Sequence, residues 1–170
     1  NRQKKAIEEK SSLLKNTEED RDILIRPLIF HKDKIIEANN LSIFYGNNII
    51  FQDIAFSVKQ GERIAICGKN SSGKSSLLKL IKGDHIDHQG ELIISNKLII
   101  SYVAQDTSFL TGDLKDLAKR ENINESLFKA VLHQFGFSRV QFDKDISNFS
   151  EGQKKKVLLA KSISQEAHLY

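Results

Sequence analysis

Apolar residues fall in short runs separated by glycine, asparagine and lysine, and the period within each run assigns its element. Ile35 to Tyr45 is an extended stretch rich in β-branched and aromatic residues; Gly46-Asn47-Asn48 supplies a turn, and Ile49 to Val58 continues with strand character. After Gln60-Gly61, the run Arg63-Ile64-Ala65-Ile66-Cys67 is of the kind covered on both faces of a parallel sheet, and Cys67 is expected there as a small buried residue. Ser75 to Lys82 carries Leu77, Leu78, Leu80 and Ile81 at helical spacing, stopped by Gly83. Glu91 to Ile94 and Leu98 to Val103 predict two more strands, joined at Ser95-Asn96-Lys97. From Asp113 the period turns helical, with stripes at Leu114, Leu117 and Ala118, at Leu127, Val131, Leu132 and Phe135, and at Val157, Leu158, Lys161 and Ser162. Ala167 to Tyr170 opens one more extended apolar run. Residues 1 to 22 are rich in Lys, Glu, Gln and Ala, with Ile7 and Leu14 one heptad apart, which reads as an exposed helix; Pro27 separates this helix from the folded domain.

Composition narrows the class. The 170 residues are 39% hydrophobic and 28% charged, which excludes a wholly disordered, collagenous or membrane-embedded chain. One cysteine builds no disulfide framework, no apolar run is long enough to span a bilayer, and the polar start is no signal peptide, so a cytoplasmic location is expected. The sequence contains no methionine, from which an internal or processed start is expected. Net charge is +4, with 20 Lys against 6 Arg, suited to diffuse attraction for phosphate rather than bidentate base reading. His85 and His88, with Asp84 and Asp87, lie between two glycines in what reads as a surface loop rather than a metal site.

Gly68-Lys69-Asn70-Ser71-Ser72-Gly73-Lys74-Ser75 fits the phosphate-loop spacing G-x-x-x-x-G-K-[ST], between a predicted strand and a predicted helix. Small residues let successive N–H groups converge on a polyphosphate, and the helix N-terminus adds about half a positive charge. Lys74 is expected on the terminal phosphates and the Ser75 hydroxyl on Mg²⁺.

Three further features narrow the family. Ser150-Glu151-Gly152-Gln153 is close to the signature sequence of ATP-binding cassette proteins, whose common form has Gly-Gly-Gln; Glu151 departs from it at the first glycine. Gln105 comes directly after the run Ser101 to Ala104 as the family's Q-loop glutamine does, and Tyr45 stands where the family places an adenine-stacking aromatic. With the phosphate loop these make four motifs in the family's order, and the chain resembles an ATP-binding cassette ATPase over residues 33 to 170. The resemblance implies an α/β phosphate-loop core, an antiparallel β subdomain and a helical subdomain at about residues 110–150. It also implies ATP and Mg²⁺ as ligands: Tyr45 on the base, Gly68 to Ser76 (Gly68, Lys69, Asn70, Ser71, Ser72, Gly73, Lys74, Ser75 and Ser76) on the phosphates, and Ser75 with Gln105 on Mg²⁺. Ser150, Glu151, Gly152 and Gln153 would act on the ATP held by a second cassette.

Two classes compete. Ser150 lies 45 positions after Gln105, a compact interval, and the wording from Ser150 to Val157 with Ala167 to Tyr170 resembles the second cassette of ABC-F proteins protecting ribosomes against lincosamides, streptogramin A and pleuromutilins. That resemblance implies residues 1–32 as the end of a helical linker, a second cassette in the same parent chain, and a ribosome with its RNA near the exit-tRNA site as partner, without a membrane. The alternative is the ATPase subunit of an ABC transporter. Tyr170 falls within the family's Walker B strand, ahead of its Asp-Glu pair. The expectation is a chain truncated there, with no catalytic residues of its own, that binds nucleotide without appreciable turnover.

Overall fold

The computed structural model describes residues 23, 25 and 27–170, so the helix expected over residues 1 to 22 lies outside the described residues. Lys34–Tyr45 (β1) and Asn48–Lys59 (β2) form a hairpin, and His88–Ile94 (β3) pairs with the other side of β1. The antiparallel sheet runs β2-β1-β3, with Ile36 opposite Val58 on one side and Ile94 on the other. β1, the central strand, buries Ile35, Ile36, Ala38, Leu41 and Ile43. Its alternation breaks at Asn40, which takes a φ of 49° while the register slips against both neighbours. Gly90 of β3 faces this bulge, where a Cβ would collide with the Asn40 carbonyl.

Lys74–Lys82 (α1) lays Leu77, Leu80 and Ile81 against the sheet, and Gly83, at a φ of 104°, ends the helix with its N–H on Leu80 O. Phe30 joins this cluster, held by its own N–H on Gln60 Oε1 and by Leu28 N–H on Ala167 O. A second cluster is helical. It gathers Leu114–Arg120 (α2), Glu125–Gln134 (α3), Arg139–Phe142 (α4), a 3₁₀ turn at Ile146–Asn148 and Glu151–Ser164 (α5). Phe128, Leu132, Ile146, Val157 and Leu158 lie at its centre. Asp113, Asn124 and Ser150 cap α2, α3 and α5 by accepting from first-turn N–H groups.

Some expectations need correction. The α3 stripe is rotated by one position: Phe128 is buried and Leu127 is 48% exposed, because Phe128, Val131, Leu132 and Phe135 keep a better helical repeat toward α5. Arg63–Cys67 forms no ladder; Ile64 and Ile66 are 55% and 40% exposed, and Cys67 is exposed rather than buried. Leu98–Val103 makes only an isolated parallel bridge, Ile100 to Leu169, although Ser101 N–H also reaches Leu169 O at 2.8 Å. An apolar run becomes a strand only where a neighbour takes its N–H and C=O groups, and among the described residues Arg63–Cys67 has no such neighbour. Between the two clusters runs a polar seam, in which Ser101 Oγ meets Ser162 Oγ and donates to Gln165 Oε1, both at 2.8 Å.

Candidate functional site

Residues 68–74 turn sharply because three of them take positive φ: Gly68 at 158°, Ser71 at 64° and Gly73 at 88°. A Cβ on Gly68 would lie 2.7 Å from Ser72 Oγ, and one on Gly73 would lie 2.5 Å from Ile50 Cγ2 and 2.7 Å from Phe51 Cδ1. The loop is thus pressed under β2, and the glycines of the motif are the residues that fit. Lys74 Nζ folds back across it, donating to Gly68 O at 3.0 Å and Lys69 O at 2.7 Å. In contrast to α2, α3 and α5, α1 begins at Gly73 with no side-chain cap. The start of α1 thus leaves its first-turn N–H groups without a side-chain cap, with the Lys74 ammonium and the Ser75 and Ser76 hydroxyls in the same turn, donor types that fit a polyphosphate with its divalent cation.

Tyr45 is half-exposed at the end of β1 and donates its hydroxyl to Ser76 Oγ at 3.2 Å, which brings the aromatic to the phosphate loop. Gln105 is exposed and makes no side-chain hydrogen bond among the described residues; the geometry does not join it to Ser75. Just beyond it, the Asp106 carboxylate accepts from Ser108 N–H and Oγ at 2.9 Å, and these bonds hold its pKa below the usual carboxylate range.

At α5, Ser150 and Gln153 form a reciprocal capping box: Ser150 Oγ accepts from Gln153 N–H at 3.3 Å and Gln153 Oε1 from Ser150 N–H at 2.9 Å. Glu151 reaches sideways instead. One of its oxygens accepts from the buried Thr107 hydroxyl at 2.5 Å and the other pairs with Lys154 at 3.6 Å. Lys156 donates to Phe135 O at the end of α3, at 2.7 Å. Thr107 escaped the sequence reading: nothing in the pattern around it signals a buried hydroxyl aimed at a helix start. Among the described residues no cluster of three or more His, Cys, Asp or Glu side chains could hold a metal.

Residues 51–170 match the ABC transporter family. The chain belongs to that family. The zinc import ATP-binding protein ZnuC of Wigglesworthia glossinidia brevipalpis is 36% identical over 141 residues, 81% of this chain and 60% of that protein. The cytochrome c biogenesis ATP-binding export protein CcmA of Reclinomonas americana is 32% identical, over 79% of this chain and 68% of its own length. The ATP-binding protein Uup of Buchnera aphidicola is 30% identical, over 86% of this chain and 26% of its own. The fold is also that of a solved metal-chelate type ABC transporter in an inward-facing conformation, at a TM-score of 0.55 and 21% identity, covering 78% of this chain and 56% of that one. The cassette thus spans only part of the proteins it matches. It has the ABC-type phosphate-loop fold, and family members bind ATP with Mg²⁺ and pair with a second cassette or membrane partners. No helix among the described residues is long and apolar enough to cross a membrane.

Proposed function

We propose that this cassette binds Mg-ATP at Gly68 to Ser76 and presents Ser150 to Gln153 to the ATP of a second cassette, as the ATPase part of a transporter. The observation that carries the nucleotide reading is the uncapped start of α1, closed over by the left-handed turns at Ser71 and Gly73, with Lys74 inside the loop. Lys74 and the first-turn N–H groups hold the phosphates; Tyr45, kept beside the loop by Ser76, takes the base. Ser75 would hold Mg²⁺, which when bound neutralises phosphate charge; Gln105 would reach the ion only if the exposed turn that carries it moved toward the loop. The transporter reading rests on relatives named for zinc import and cytochrome c biogenesis export.

A second reading, an ABC-F cassette on the ribosome near the exit-tRNA site, is favoured by the Uup match, which covers most of this chain but about a quarter of that protein, as one cassette of a longer chain would. On it, residues 1–32 end a linker, residues 33–170 form a cassette with a helical subdomain near 110–150, and the location is cytoplasmic. Co-purification of the intact protein with an integral membrane subunit supports the first reading. Drug-resistant translation in a purified system supports the second.

Titration calorimetry of the chain with Mg-ATP tests the shared core. Binding is expected, and Lys74→Ala weakens it about 10- to 100-fold, from the ~1.5–3 kcal/mol typical of a hydrogen bond to a charged group. Equal affinity in the variant defeats the phosphate-loop assignment.

A further inference from the structure

The most informative contact away from the phosphate loop is the one between Thr107 and Glu151. Thr107 is buried at 2% exposure and fixed in place: Asp106 caps Ser108, and Leu110 N–H donates to Thr107 O at 3.1 Å as Leu110 enters the helical cluster. Glu151 is the first residue of α5, where the helix end favours a carboxylate. Each of its oxygens has a separate partner, Thr107 Oγ1 on one and Lys154 Nζ on the other. A hydroxyl donating to a carboxylate oxygen is a directional bond, here with its Thr107 end buried although the Glu151 side chain is largely exposed. Glycine, the residue of the family's common signature form, has no side chain to make it.

We infer that Glu151 is a positioning residue: through Thr107 it ties the turn after Gln105 to the signature helix, so that a change at Gln105 is passed to Ser150, Gly152 and Gln153. On the nucleotide reading above, Gln105 attends this cassette's ATP and the signature attends its partner's. The Thr107–Glu151 bond then couples two nucleotide sites within one chain, a link that rests on that reading for its role but not for its existence. No further residue is needed, since Ser150 and Gln153 are already locked to each other and move with the start of α5.

Backbone amide exchange on the full chain, read residue by residue, tests this without ligand first. Thr107→Val removes the hydroxyl at constant shape and is expected to speed exchange at Gly152 and Gln153; Glu151→Ala speeds it at Ser108 to Leu110. Thr107→Ser, which keeps the hydroxyl, restores the wild-type rates. A role of Glu151 confined to its own helix end leaves Ser108 to Leu110 unmoved by Glu151→Ala, and that result overturns the proposal. With Mg-ATP added, wild-type exchange changes at both segments, whereas in Thr107→Val ATP affinity is unchanged and the response at Ser150 to Gln153 is lost. A response that persists in Thr107→Val overturns the coupling. Absence of ATP binding to the wild-type chain defeats the nucleotide reading alone, because the ligand-free arm still decides whether the tie exists.

Discussion

Single residues carry the phosphate loop, and Gly73 carries the most. Its φ of 88° and the closeness of Ile50 and Phe51 leave no room for a side chain, so the requirement is both conformational and steric. Gly73→Ala is expected to lose about 1–2 kcal/mol from the left-handed backbone alone, more where β2 cannot shift, and to abolish nucleotide binding. Chemical denaturation measures the first loss and calorimetry the second; a variant of wild-type stability and affinity shows that the loop tolerates a Cβ. The spacing of this motif was legible at once, since its residue types are dictated by the need to bring N–H groups together. What spacing does not reveal is the packing of Ile50 and Phe51 on Gly73, which arises only when β2 is laid over the loop. Thr107 was invisible for a similar reason: its partner stands 44 positions away.

Among the elements, those that carry their own stop signals were read well. Gly46 turns β1 into β2, Gly83 ends α1 and the helical period begins at Asp113, as the pattern predicts, whereas the caps at Asn124 and Ser150 are seen only in the structure. Runs that depend on a distant neighbour, Arg63–Cys67 and Leu98–Val103, were over-read as full strands, because hydrophobicity alone does not supply hydrogen-bond partners. The stripe of α3 was misplaced by one residue because Leu127 and Phe128 are adjacent and equally apolar. One short element depends on charge. Asp145 starts the 3₁₀ turn by accepting from Ser147 Oγ and N–H, and it also takes Gly112 N–H. These bonds, the Ser147 hydroxyl first, lower its pKa. A lowered folded-state pKa means the stabilisation is fully present above the ordinary aspartate value and is lost as pH falls through the lowered one. Acid titration with amide exchange read at Ile146 to Phe149 is expected to show this turn loosening only in that acidic window. Asp145→Ala loosens it at neutral pH as well. A turn equally protected in Asp145→Ala shows that the carboxylate is dispensable.

At the scale of the molecule, the described residues form two apolar clusters that share no buried residue, one of sheet and α1, the other of helices, joined through the seam of Ser101, Ser162 and Gln165. A seam held by a few hydrogen bonds resists opening less than the apolar packing inside each cluster, so the clusters are expected to open as separate units. In native-state exchange under mild denaturant, amides at Phe128, Leu132 and Val157 are predicted to converge on one opening free energy and those at Ile36 and Ile43 on another. A single common value for both sets contradicts a two-unit architecture. The start of the phosphate loop also bears on how the molecule is handled at the bench. The sequence has a single cysteine, and Cys67 is exposed immediately before Gly68. On these 170 residues a thiol-reactive dye or spin label therefore attaches at one place, on the threshold of the loop, a ready-made spectroscopic handle that needs no substitution.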